Sequence, residues 1–101
     1  MTRRASAVDR NQSEIVLMLR TVGCTVQLLH KVGQGCPDLL VGYRGQNILM
    51  EVKDGELSPS ARKLTDRQVE WHRDWRGQVA VVCNVREAMA ALGITGTEWV
   101  S

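Results

Sequence analysis

The chain has 101 residues, 44% of them hydrophobic and 24% charged, with a formal net charge of +2. That length bounds a single modest core, so one domain spanning residues 1–101 is expected, and the apolar content excludes a disordered chain. No apolar run approaches the roughly 20 residues that cross a bilayer, and Met1-Thr2-Arg3-Arg4 leads into no signal-peptide core, so the expected setting is the cytoplasm without a membrane partner.

In chain order, Ser6 followed by Asp9 resembles a helix start, and the apolar stretch Ile15–Leu19 precedes Gly23, a natural stop, which predicts a helix over residues 7–21. The β-prone run Thr25-Val26-Gln27-Leu28-Leu29-His30 ends at the glycine-containing segment Val32-Gly33-Gln34-Gly35, predicting a strand and a turn. Leu39–Tyr43 and Asn47–Lys53 flank the short connection Arg44-Gly45-Gln46 and should form an antiparallel hairpin. Asp54 to Ser60 breaks regular structure, and Thr65 with Gln68 three residues on has the form of a capping box for a helix near residues 66–75. Val79-Ala80-Val81-Val82-Cys83 has almost no polar position and reads as an interior strand covered on both faces. Asn84 and Glu87 cap a helix at about 85–92 that Gly93 ends, and Thr97–Val100 is expected to form an edge strand. The order predicts an α/β fold: a mixed sheet flanked by helices, with the strand after the second helix joined by a parallel crossover.

Asp38, behind Pro37, opens the second strand, and Glu51-Val52-Lys53 ends the third. Side chains alternate along a strand, so Glu51 and Lys53 leave one face while Val52 leaves the other. A hairpin sets the start of one strand beside the end of the next, so Asp38, Glu51 and Lys53 should converge. Two carboxylates suit a hard divalent cation such as Mg2+ or Mn2+, which activates bound water and stabilises charge on a phosphoryl oxygen. The lysine suits orientation of the nucleophile, and the Val52 carbonyl is a further oxygen donor to the metal.

Pro37-Asp38 followed by Glu51-Val52-Lys53 resembles the PD-(D/E)xK nuclease superfamily. The common core of that superfamily, helix, three strands, helix, strand, runs over residues 7–83 here, which implies a restriction-endonuclease-like fold. Many members carry a glutamate in the first helix, which implies a catalytic and metal-binding role for Glu14, and some relatives place a glutamine near the active site, matched by Gln68. The compact size and the segment Leu64-Thr65-Asp66-Arg67-Gln68-Val69-Glu70-Trp71 look most like the VRR-NUC subgroup, which includes stand-alone phage and bacterial proteins and whose related nucleases act on branched DNA. The resemblance implies a metal-dependent DNA endonuclease, with branched or structured DNA as a candidate substrate.

The alternative is a non-catalytic nuclease-like module for DNA binding or assembly. Intact Asp38, Glu51 and Lys53 weigh against it, because two acids without metal repel an anionic backbone. Net charge decides nothing, although ten of the 13 basic residues are arginine, which suits bidentate phosphate recognition, and Arg62, Lys63 and Arg67 cluster near the second helix start. His30 and His72 lack metal-ligand spacing and stay outside the catalytic set. Cys24, Cys36 and Cys83, an odd number at wide spacings, read as reduced thiols. Trp71, Trp75 and Trp99 offer large apolar surfaces, and cutting both strands of DNA needs two centres, so a homodimer is expected.

Overall fold

The structure, a computed structural model, describes residues 7–95. Helix α1 (Ala7–Thr21) buries Ile15, Val16 and Leu19, one stripe at helical spacing, and closes through Cys24 N–H donating to the Leu19 carbonyl at 3.0 Å. Strands β1 (Thr25–Leu28), β2 (Leu39–Tyr43), β3 (Gln46–Val52) and β4 (Val79–Val82) form one sheet in the order β1-β2-β3-β4. The first two pairings are antiparallel and β3–β4 is parallel, so the predicted mixed sheet and crossover are present. The crossover holds a 3-10 turn (Pro59–Arg62) and helix α2 (Asp66–Asp74), and α3 (Val85–Ala91) follows β4.

The β2–β3 hairpin turns on Arg44 (φ 50°) and Gly45 (φ 80°), with Tyr43 paired to Gln46. Two consecutive left-handed residues match the twist of the flanking strands, and Gly45 takes that conformation without a Cβ penalty. The turn thereby fixes the register, Leu39 against Met50 and Val41 against Ile48.

One face of the sheet carries the core. Val41, Met50, Val52 and Val82 pack with Ile15 and Leu19 of α1 and Ala88 and Met89 of α3, all buried. The opposite face carries Leu49 and Glu51, and α2, which contributes no buried residue, is joined to the end of β3 through the Lys53–Gln68 hydrogen bond. Thr65 caps α2 as predicted: its hydroxyl accepts from Gln68 N–H at 3.3 Å, and the Gln68 side-chain carbonyl accepts from Thr65 N–H at 2.8 Å. At α3, Asn84 Oδ1 accepts from Glu87 N–H at 2.8 Å, while the Glu87 carboxylate reaches past the cap to Cys83 N–H at 2.9 Å.

The expectation for β4 is corrected. It lies at the end of the strand order with Val81 41% exposed and only Val82 buried, so it is not an interior strand covered on both faces. Its apolar run reflects one face packed on α3 and another only partly screened. The expected strand at 97–100, like Trp99 and the Ser6 helix start, lies outside the described residues.

Candidate active site

Extending the β2–β3 register by one step beyond Leu39–Met50 sets Asp38 opposite Glu51, while on its other side Asp38 continues the β1–β2 ladder, its carbonyl accepting from Leu29 N–H at 2.8 Å. The Asp38 side chain reaches back along the hairpin: its Oδ2 accepts from Val52 N–H at 2.7 Å. Glu51 is 3% exposed and its Oε1 is buried with no hydrogen-bond partner.

Burial, then a hydrogen bond from protonated Glu51 to Asp38, then the Asp38 charge push the Glu51 carboxyl up to about 8, against the opposing pull of the Lys53 ammonium. The same burial and the same two carboxylates raise the Cys36 thiol, which stays protonated. All three cysteines are free.

Lys53 leaves β3 just after Glu51 and Val52. Its backbone N–H donates to the Val82 carbonyl at 2.9 Å, and its ammonium donates to Gln68 Oε1 at 2.8 Å. That oxygen therefore serves both the helix cap and the lysine, so the capping box of α2 sets the place of the amine. Gly35 brings the preceding loop against the same helix: a Cβ there would lie 2.5 Å from the Arg67 carbonyl oxygen, so only glycine lets the segment leading to Asp38 sit on α2.

Asp38, Glu51, Lys53 and Gln68 are thus linked by contact or charge. Glu14 is placed differently. It is exposed, on α1, and lines a cavity of about 400 Å3 with Arg10, Asn11, Asp54, Glu56 and Asn84. Arg62 is half-buried with its Nε unpartnered, whereas Lys63 and Arg67 are exposed.

Two contributors escape a reading of the sequence, and a third, His72, is set aside there. Asn11 on α1 donates through Nδ2 to the Lys53 carbonyl at 2.7 Å and the Cys83 carbonyl at 2.9 Å, tying the ends of β3 and β4 together. Its one signal is an amide four positions before buried Ile15. Asp54, 6% exposed, accepts from Glu56 N–H at 2.9 Å and folds the loop after Lys53. His72, one turn beyond Gln68, has a buried Nε2 without a partner.

The donor set fits a hard divalent cation. Asp38 and Glu51 bring two carboxyl groups together, and the unpartnered Glu51 Oε1 is a buried oxygen that a metal would satisfy. Among the described residues no three His, Cys, Asp or Glu side chains gather to hold an ion, so the set relies on two acids and a backbone oxygen.

The helix, mixed sheet and crossover helix, with acids and a lysine at the hairpin ends, define the restriction-endonuclease-like class of α/β proteins. The fold aligns with a solved chain described as a VRR_NUC domain, at 26% identity and a TM-score of 0.66, covering 88% of this chain and 97% of the other. The protein has a VRR-NUC nuclease-like fold, and the likeness supports a nuclease-family member. No family model and no curated protein matches the sequence.

Proposed function

We propose that this protein is a divalent-metal-dependent endonuclease that hydrolyses phosphodiester bonds in DNA, with branched or structured DNA as its substrate. The observation that carries this reading is the Asp38–Glu51 acid pair, its Glu51 buried with one oxygen lacking a partner, beside an ammonium held by Gln68. Asp38, Glu51 and the Val52 carbonyl would hold Mg2+ or Mn2+, with Glu14 as a further candidate ligand. Such an ion, when bound, lowers the pKa of water and stabilises charge developing on phosphate.

The chain's own residues supply the rest. Val52 N–H orients the Asp38 carboxylate, and Asp38 in turn accepts a hydrogen bond from the protonated Glu51 carboxyl. Gln68 fixes the Lys53 ammonium, which positions the attacking water and offsets negative charge on the phosphate oxygens. Arg62, Lys63 and Arg67 flank the entrance to α2 and suit the DNA backbone.

We place two such chains in a homodimer. Val69 and Trp75 are 48% and 43% exposed on or beside α2, and Trp71 stacks on Trp75 at a 4.7 Å ring separation, which leaves an apolar surface for a second copy. Two centres then serve two strands. Incubation of the purified chain with plasmid and branched DNA should give metal-dependent cleavage that a chelator stops. Retained DNA binding with no cleavage in magnesium or manganese would favour the non-catalytic module instead. Light scattering at micromolar concentration should report a two-chain mass.

A further inference from the structure

Helix α2 reaches Lys53 through Gln68. Gln68 takes one of the three ammonium protons on its Oε1. His72 follows four residues later, so it lies on the same face of the helix, one turn along. Its Nε2 is buried with no hydrogen-bond partner, and its ring meets the edge of Trp71 at 5.7 Å and 71°, which restrains its orientation. A buried ring nitrogen with nothing to bond is uncommon and calls for a partner that arrives.

We propose that His72 is a positioning residue for Lys53: its neutral imidazole offers Nε2 as a second acceptor, beside Gln68 Oε1, for the Lys53 ammonium. Two acceptors one helical turn apart would hold the flexible lysine stem at a fixed height above the acid pair, where a single acceptor leaves it free to swing. Neutrality is built in, since burial and then the Lys53 charge both hold the imidazole below its ordinary pKa. A protonated ring would repel the ammonium and lose its acceptor. The proposal rests on the reading of Lys53 as the amine of the nuclease site.

The test has two arms. In the intact chain, nitrogen-detected NMR should show His72 with Nδ1 protonated and Nε2 bare, and its pKa should rise toward 6.5 when Lys53→Met removes the ammonium. A His72 that titrates alike in both proteins, or carries its proton on Nε2, overturns the proposal. In the second arm, His72→Leu should lower kcat by roughly 10- to 100-fold with KM for DNA unchanged, as loss of a supporting partner does, and His72→Gln, which keeps an acceptor, should recover most of it. Equal losses in the two variants, with circular dichroism unchanged, also overturn it. If the chain cuts no DNA under any condition, the NMR arm still decides the His72–Lys53 contact, so failure of the nuclease reading is separable.

Discussion

The two faces of the sheet are built by different means although the same strands make both. On the α1/α3 face, Ile15, Leu19, Leu39, Val41, Met50, Val52 and Val82 are at most 1% exposed, and burial of apolar surface holds the face together. On the α2 face, Leu40 and Val81 remain 37% and 41% exposed, and α2 is tied in by the Lys53–Gln68 hydrogen bond and the close approach of the loop at Gly35. Strand β3 divides its residues between them: Met50 and Val52 point into the core, Glu51 into the site. Stability and chemistry are sorted by the two-residue period of a strand, so each can be altered with little effect on the other.

The sharpest way to break that division is at the acids and the amine. Asp38→Ala, Glu51→Ala and Lys53→Ala should each reduce cleavage by about 100-fold or more, with far-UV circular dichroism preserved. Cleavage at the wild-type rate in any of them would remove that residue from the site. The converse substitution is Leu19→Ala, which opens a cavity in the opposite face and should cost about 2–5 kcal/mol. Its urea midpoint should fall, while the folded fraction, assayed well below that midpoint, should retain near-normal cleavage. A specific loss of activity in fully folded Leu19→Ala would show that the two faces are mechanically coupled.

A smaller effect joins the faces through pH. The Glu51 carboxyl ionises near 4.5 in an unfolded chain and near 8 in the fold, so between those values the folded state holds one proton more. Stability therefore falls as pH rises from about 4.5 to about 8 and levels off above. Glu51→Gln should flatten that decline. Magnesium at pH 8 should raise the wild-type midpoint, because a ligand that binds only the folded state stabilises it, and should leave Glu51→Gln nearly unchanged. A wild-type midpoint that is flat from pH 5 to pH 8 would mean that Glu51 is not held protonated.

The α1/α3 face was almost entirely legible in the sequence, and so was half of the site. The apolar stretch before Gly23 locates the first helix, turn chemistry locates Arg44-Gly45, and strand alternation places Glu51 and Lys53 together, because each is a local rule acting over a few residues. The misreading of β4 came from inferring two-sided cover from an apolar run: the run records hydrophobicity, whereas cover depends on where the strand falls in the sheet order. Asn11 and Asp54 were missed, and His72 was set aside, because their surroundings are not written locally. Asn11 bonds carbonyls 42 and 72 residues away and the His72 Nε2 is buried by tertiary placement, of which a polar residue on a helix gives no local sign, while Asp54 sits in a polar loop whose turn contact to Glu56 nothing marked out. Gln68 was found through its capping box, and the structure shows that the cap and the lysine contact share one oxygen.

Glu14 tests the smallest effect and the boundary of the site. It projects from α1, the helix that also builds the core, yet it is exposed and lines a cavity with Asp54 and Glu56. Because it is exposed, Glu14→Ala should leave the urea midpoint within about 0.5 kcal/mol of wild type. If the glutamate adds one ligand to the ion held by Asp38 and Glu51, calorimetry with Mn2+ should show affinity weakened by roughly tenfold, the lower end of what supporting groups contribute, and cleavage at limiting metal should fall while saturating metal restores it. That pattern separates a ligand from a residue acting in the chemical step, whose loss added metal does not repair. Unchanged Mn2+ affinity together with unchanged cleavage would confine Glu14 to the cavity wall and leave the α2 face alone in charge of the chemistry.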